Sequence, residues 1–124
     1  MKAVVVATTW PLPRYKRFAN GLKAIGYEVT HKPGPGDLLV IWNRYKANHE
    51  LALQYEQEGK PVIVAENPYI KRDSAGRTYT ALALHGHNGS GRHRSGDAQR
   101  WRAMEMRVWP WQGGGDWILL ASQR

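Results

Sequence analysis

The chain has 124 residues, no cysteine, 42% apolar residues and a net charge of +8. That length fits one domain with a single core, and that apolar content excludes a disordered chain. The lack of cysteine excludes disulfide scaffolding and thiolate chemistry, which fits a cytoplasmic location, while the basic balance directs attention to an anionic small molecule or nucleic acid.

The chain opens with MKAVVVATTW, whose one lysine and five apolar residues are too few for a signal peptide or a membrane span, so no membrane partner is expected. Ala3–Thr8 is a continuous run rich in β-branched residues, which suits a strand buried on both faces. Pro11 and Pro13 then interrupt regular structure. Tyr15, Phe18, Ala19, Leu22 and Ile25 recur at helical spacing and predict a helix over Tyr15–Ile25, stopped by Gly26. Tyr27–His31 alternates as a short strand does, and Lys32–Asp37 is a Pro/Gly turn.

Leu38–Trp42 is a second apolar strand, followed by a helix from Ala47 to Glu58 whose stripe is Ala47, Leu51 and Tyr55. Asn48 is a candidate N-cap of that helix, and Gly59 its stop. Pro61–Ala65 is a third buried strand. Strands alternating with amphipathic helices predict an α/β fold: a single Rossmann-like, three-layer domain over 1–124 with a mostly parallel sheet of about five strands. Residues 68–116 break the pattern, being rich in Gly, Arg, Trp and His. Arg100–Met106 fits either one helical turn or a strand, and Trp117–Ala121 reads as a final buried strand.

The stretch with the most chemistry is Tyr79–Arg94, YTALALHGHNGSGRHR. Glycine permits positive φ and close backbone approach, and its N–H groups can cradle an anion. Histidine adds switchable positive charge and arginine a permanent one. In open α/β sheets ligands bind beyond the carboxyl ends of the strands. Those ends here are Thr8, Thr9 and Trp10; Asn43 and Arg44; Glu66 and Asn67; and Ser122, Gln123 and Arg124. Folded over that edge, the loop predicts a cleft with Thr9, Trp10, Asn43, Arg44, Asn67, Asn88, Gly89, Gly91 and Arg92 as ligand-binding groups. His85, His87 and Glu66 are the candidate acid/base residues, since imidazole titrates near neutrality and Glu66 follows a buried strand.

Three alternatives are weaker. His85-x-His87 on a strand, with His93, has metal-type spacing, but no Asp, Glu or Cys lies between Leu84 and Arg94, so no metal is assigned. Ser90 has no G-x-S-x-G setting, and no dinucleotide fingerprint follows the first strand. Trp42 and Trp117 read as core residues, whereas Trp109 and Trp111 lie in the basic region from Lys71 to Arg107, where eight Lys/Arg face three acids.

The segments FANGLKAIGYEV, DLLVIWNRY, PVIVAENPY, YTALALHGHNGSG and PWQGGGDWILLASQR resemble a group of small phage and prophage proteins described as glycosyltransferase-like. The resemblance runs across nearly the whole chain. It implies a Rossmann-like half of a GT-B-type transferase using a nucleotide sugar, with Asn43, Glu66, Asn67, His85, His87 and Asn88 as the matching site positions. Such an enzyme holds its donor between two domains, so the second would come from a partner domain, a homodimer or a longer chain. The alternative expectation is a non-catalytic, basic phage accessory protein that binds nucleic acid or a host protein.

Overall fold

In β1 (Lys2–Val6), Ala3, Val4 and Val5 are all buried, so successive side chains meet a core on opposite sides of the sheet. The computed structural model describes residues 1–7, 12–68, 76, 78–87, 102 and 113. Within them the elements run β1, α1 (Leu12–Ala24), β2 (Glu28–Thr30), β3 (Leu38–Trp42), α2 (Ala47–Gln57), β4 (Val62–Glu66) and β5 (Ala81–Leu84). The protein is thus α/β, with a five-stranded sheet in the order β2-β1-β3-β4-β5. The first four strands are mutually parallel, and β5 runs antiparallel to β4. The expected strand over Trp117–Ala121 lies outside the described residues, and so does Arg100–Met106 apart from Arg102.

The two helices cover opposite faces. Tyr15, Phe18 and Leu22 of α1 pack on Ala3, Val5, Leu38 and Val40. Leu51, Ala52 and Tyr55 of α2 pack on the alternate residues Val4, Leu39, Ile41, Val62 and Val64. Each fully buried Val, Leu or Ile contributes about 1.5–3 kcal/mol through apolar area removed from water, so these two clusters hold the described sheet and helices together.

Both helices end in the predicted glycines, each by a Schellman motif. Gly26 (φ +90°) donates to Lys23 O and Tyr27 donates to Leu22 O. Gly59 (φ +69°) donates to Glu56 O and Lys60 donates to Tyr55 O. Three details differ from the periodicity. The helix α1 ends at Ala24, leaving Ile25 in the turn and 68% exposed. The buried face of α2 is Asn48, Ala52 and Tyr55, with Ala47 exposed. Asn48 does not cap: its buried amide donates to Trp42 O and Asn43 O, at 2.9 and 3.3 Å, tying the start of α2 to the end of β3.

The segment from His31 to Asp37 returns the chain from β2 across β1 to β3, and it does so on the α2 face. Gly36 sits there against Val4 and Tyr55, and the Tyr55 hydroxyl donates to Gly34 O at 2.7 Å. Burial first, then the charges of Glu58 and Asp37, pushes the Tyr55 hydroxyl above its ordinary pKa, keeping it a donor. The loop therefore takes the place of a helix over β1.

A Cβ on Gly36 would lie 2.9 Å from Tyr55 Oη and 3.1 Å from Lys2 O. Gly36→Ala is expected to destabilise the fold by about 1–3 kcal/mol in urea unfolding, as overpacking does. Lys46, the N-cap of α2, holds φ 49° and ψ −127° with no side-chain cap bond, a conformation that favours glycine. Lys46→Gly is expected to act oppositely, stabilising by about 1 kcal/mol in the same assay.

Candidate functional site

The connection from β1 leaves through α1 to β2 on one side, while that from β3 leaves through α2 to β4 on the other. The sheet order therefore reverses between β1 and β3, and a crevice opens at their carboxyl ends. On the α1 face of that edge lies a cavity of about 430 Å³. Its walls come from α1 (Pro13, Arg14, Arg17, Phe18), the end of β3 (Trp42), Asn67 after β4, and Thr78, Tyr79 and Thr80 before β5.

Strand parity explains this assembly. Leu38 and Val40 face α1, so Trp42 does too, and its ring emerges where α1 begins. Arg14 Cζ sits 3.4 Å from the centre of that ring. Stacking on the indole fixes the guanidinium plane and leaves its edge N–H groups for hydrogen bonding. Arg17 follows one turn later on the same side of α1. The first turn of α1 has no acidic side chain, and its positive end is at the cavity. No carboxylate occurs among the described residues lining it. The arrangement suits an anion at the α1 wall and hydroxyl-bearing groups at the Asn67, Thr78 and Thr80 wall.

A second cluster occupies the α2 face. Arg44, directly after β3, makes a bidentate ion pair with Glu56 of α2, at 2.5 and 2.7 Å. Its Nε donates to His49 Nδ1 at 3.2 Å, and its Nη1 donates to the backbone oxygen of His85. His85 Nδ1 lies 3.1 Å from Glu56 Oε1. The hydrogen bonds from Arg44 hold the Glu56 carboxyl below its ordinary range, against partial burial and with help from the Arg44 charge and His85. Further along the same face, His87 Nδ1 approaches Glu66 Oε2 at 3.7 Å.

The sequence-derived site residues divide accordingly. Asn67 lines the cavity; Glu66 and His87 meet each other; and Arg44 meets the backbone of His85. Asn43 is exposed at the end of β3 with φ 57° and donates its backbone N–H to Ala65 O. Thr9, Trp10, Asn88, Gly89, Gly91 and Arg92 lie outside the described residues. His85 and His87 do not share a strand face, because the strand ends at Leu84 and His85 turns the chain with φ 63°. Trp42 is half-buried at the cavity instead of inside the core. Periodicity assigns Arg17 to the polar side of α1 and leaves Arg14 and Glu56 unremarked. The signal for Arg14 was its position in the first turn of a helix that follows the first strand.

The chain matches no known protein family, and no curated protein matches it.

Because the Glu56 pKa is depressed in the folded state, its contribution to stability is full above the ordinary value of 4.5 and is lost as pH falls through the folded-state value. Urea unfolding from pH 7 to pH 3 is expected to show this loss setting in below about pH 4.5. Glu56→Gln is expected to flatten that slope and to cost about 1–3 kcal/mol at pH 7, where Arg44 loses its carboxylate partner.

Proposed function

We propose that this chain is a glycosyltransferase-like, Rossmann-type domain that binds a nucleotide sugar or a related phosphorylated ligand at the carboxyl ends of its strands. The observation that carries the reading is the cavity at the β1/β3 switch point, where Arg14 is stacked on Trp42 beside Arg17 and the start of α1. Phosphate oxygens would take N–H groups of the two arginines and of the α1 first turn. Asn67, Thr78 and Thr80 would take sugar hydroxyls, and Pro13 and Phe18 offer apolar surface to a base. A sheet with one helix on each face and an order reversal at β1/β3 supports a Rossmann-like layering for the nucleotide-binding half.

In the transfer itself, an acceptor hydroxyl oxygen would attack the anomeric carbon while the carbon–oxygen bond to phosphate breaks. The electron pair would leave on the diphosphate, whose added charge Arg14 and Arg17 stabilise. The acceptor proton would pass to a general base brought by a second domain, because the His87–Glu66 pair lies on the α2 face and does not line the cavity. That domain, from a partner or a second copy, would close the donor from the other side. The absence of cysteine fits this chemistry taking place in the cytoplasm.

Calorimetry with UDP, UDP-glucose and other nucleotide sugars, at low and at physiological salt, tests the reading. Saturable, salt-tolerant binding of one of them is expected, weakened about 10–100-fold in Arg14→Ala, as loss of a charge-assisted hydrogen bond implies. His87→Ala is expected to retain binding, since the residue does not line the cavity. Failure of every nucleotide to bind, or full affinity in both Arg14→Ala and Arg17→Ala, sinks the proposal.

A further inference from the structure

Among the described lysines and arginines two are ion-paired, whereas Lys2, Lys32, Lys46, Arg102 and the four on α1 are not. Arg44 is ion-paired with Glu56, and Lys60 pairs with Glu58 at 2.5 Å. The four on α1 (Arg14, Lys16, Arg17 and Lys23) have no ion pair among the described residues, and the helix carries no acidic residue at all. Isolated helices ordinarily gain from i, i+4 acid–base pairs on an exposed face, and this one forgoes every such pair. Its exposed positions are Pro13, Lys16, Arg17, Asn20, Gly21, Lys23 and Ala24.

Lys16, Asn20 and Lys23 are spaced by four and three residues, so they form one row along the outer surface of the helix. Between Arg17 and Lys23, Gly21 leaves the backbone bare: an added Cβ would meet nothing within 4 Å. The fold therefore has no packing need for a glycine there, although a helix-interior glycine costs about 1 kcal/mol relative to alanine. At the neighbouring strand end, the exposed residues His31 and Lys32 continue the basic surface, with the His31 ring edge-on to Tyr15 of α1 at 6.0 Å.

We infer that the outer face of α1 is a docking surface for the phosphate backbone of nucleic acid. An unpaired, carboxylate-free row of cations with a bare patch of backbone suits a polyanion lying along the helix. An anionic membrane fits less well, because interfacial helices bury large apolar side chains, and those of α1 face the sheet. The inference does not depend on the cavity: Lys16 and Lys23 do not line it.

Fluorescence anisotropy with a labelled 20-base-pair DNA duplex, across a salt series, tests this directly. The double variant Lys16→Glu/Lys23→Glu is expected to bind at least about tenfold more weakly and to reduce the salt slope by about 2, one per lost phosphate contact. A charge-matched double variant elsewhere, Lys46→Glu/Lys60→Glu, is expected to retain most of the affinity. Equal losses in the two variants would reduce the effect to net charge and overturn the proposal. Binding to phosphatidylserine vesicles but not to DNA would overturn it in favour of a membrane surface. Nucleotide binding in the cavity is expected to be unchanged in Lys16→Glu/Lys23→Glu, so the two proposals can fail separately.

Discussion

Burial of β3 on both faces is the constraint from which the rest of this architecture follows. Leu38, Leu39, Val40 and Ile41 are all buried, so neither face of the strand can be left to water. With hydrogen-bonded neighbours on both edges, the strand needs a covering layer above and below. The α1 helix supplies one layer, and α2 supplies the other together with the His31–Asp37 crossover. Once the helices are on opposite faces, their connections must leave β1 and β3 in opposite directions. That divergence opens the crevice in which Arg14, Trp42 and Asn67 meet. The cavity is a consequence of the core.

Charge is partitioned along the same division. On the α2 side, Arg44 is enclosed by Glu56, His49 and the His85 backbone, so it joins β3, α2 and the end of β5. A half-buried guanidinium with both carboxylate oxygens satisfied is a structural fastening, since leaving either partner alone would strand a charge in low dielectric. On the α1 side, the arginines and lysines have been left without carboxylates. Among the described residues, the half-buried Arg44 is neutralised, whereas the cations of α1 and its cavity are left where an anion could meet them.

The sequence makes the three inner strands legible because burial on both faces leaves a plain apolar run, as in Leu38–Ile41. The helices are legible from one stripe each and from Gly26 and Gly59, whose positive φ the cap geometry demands. The strand β5 is harder to read: ALAL is short, unbranched and followed at once by polar residues, so nothing local separates it from a loop. The strand-end rule finds Asn67 and Glu66, and the loop composition finds His87, but neither can pair the last two. Pairing depends on the turn after β5, where His85 has φ 63° and His87 comes to lie beside Glu66. Trp42 misleads for a similar reason. An aromatic ending an apolar strand reads as core, and only the position of the α1 first turn reveals that the ring supports a guanidinium.

The ends of β3 and β5, which lie at opposite edges of the sheet, are stiff in a way their loop composition conceals. Asn43 and His85, the residues just beyond β3 and β5, both have positive φ and yet both keep their backbone N–H groups bonded to β4, at 2.8 Å each. The ladder thus runs one residue past each strand before the chain turns away, and that extra bond offsets part of the left-handed strain. Asparagine and histidine tolerate such a conformation better than most side chains, whereas Lys46 at the start of α2 does not. Asn48 then fixes the intervening turn by bonding Trp42 O and Asn43 O from a buried position. Asn43 and Arg44, the first residues after β3, are therefore held by β4, by Asn48 and by Glu56 of α2. A ligand entering beside Trp42 would meet a wall already ordered on that side, so less of its binding free energy would be spent on fixing the loop.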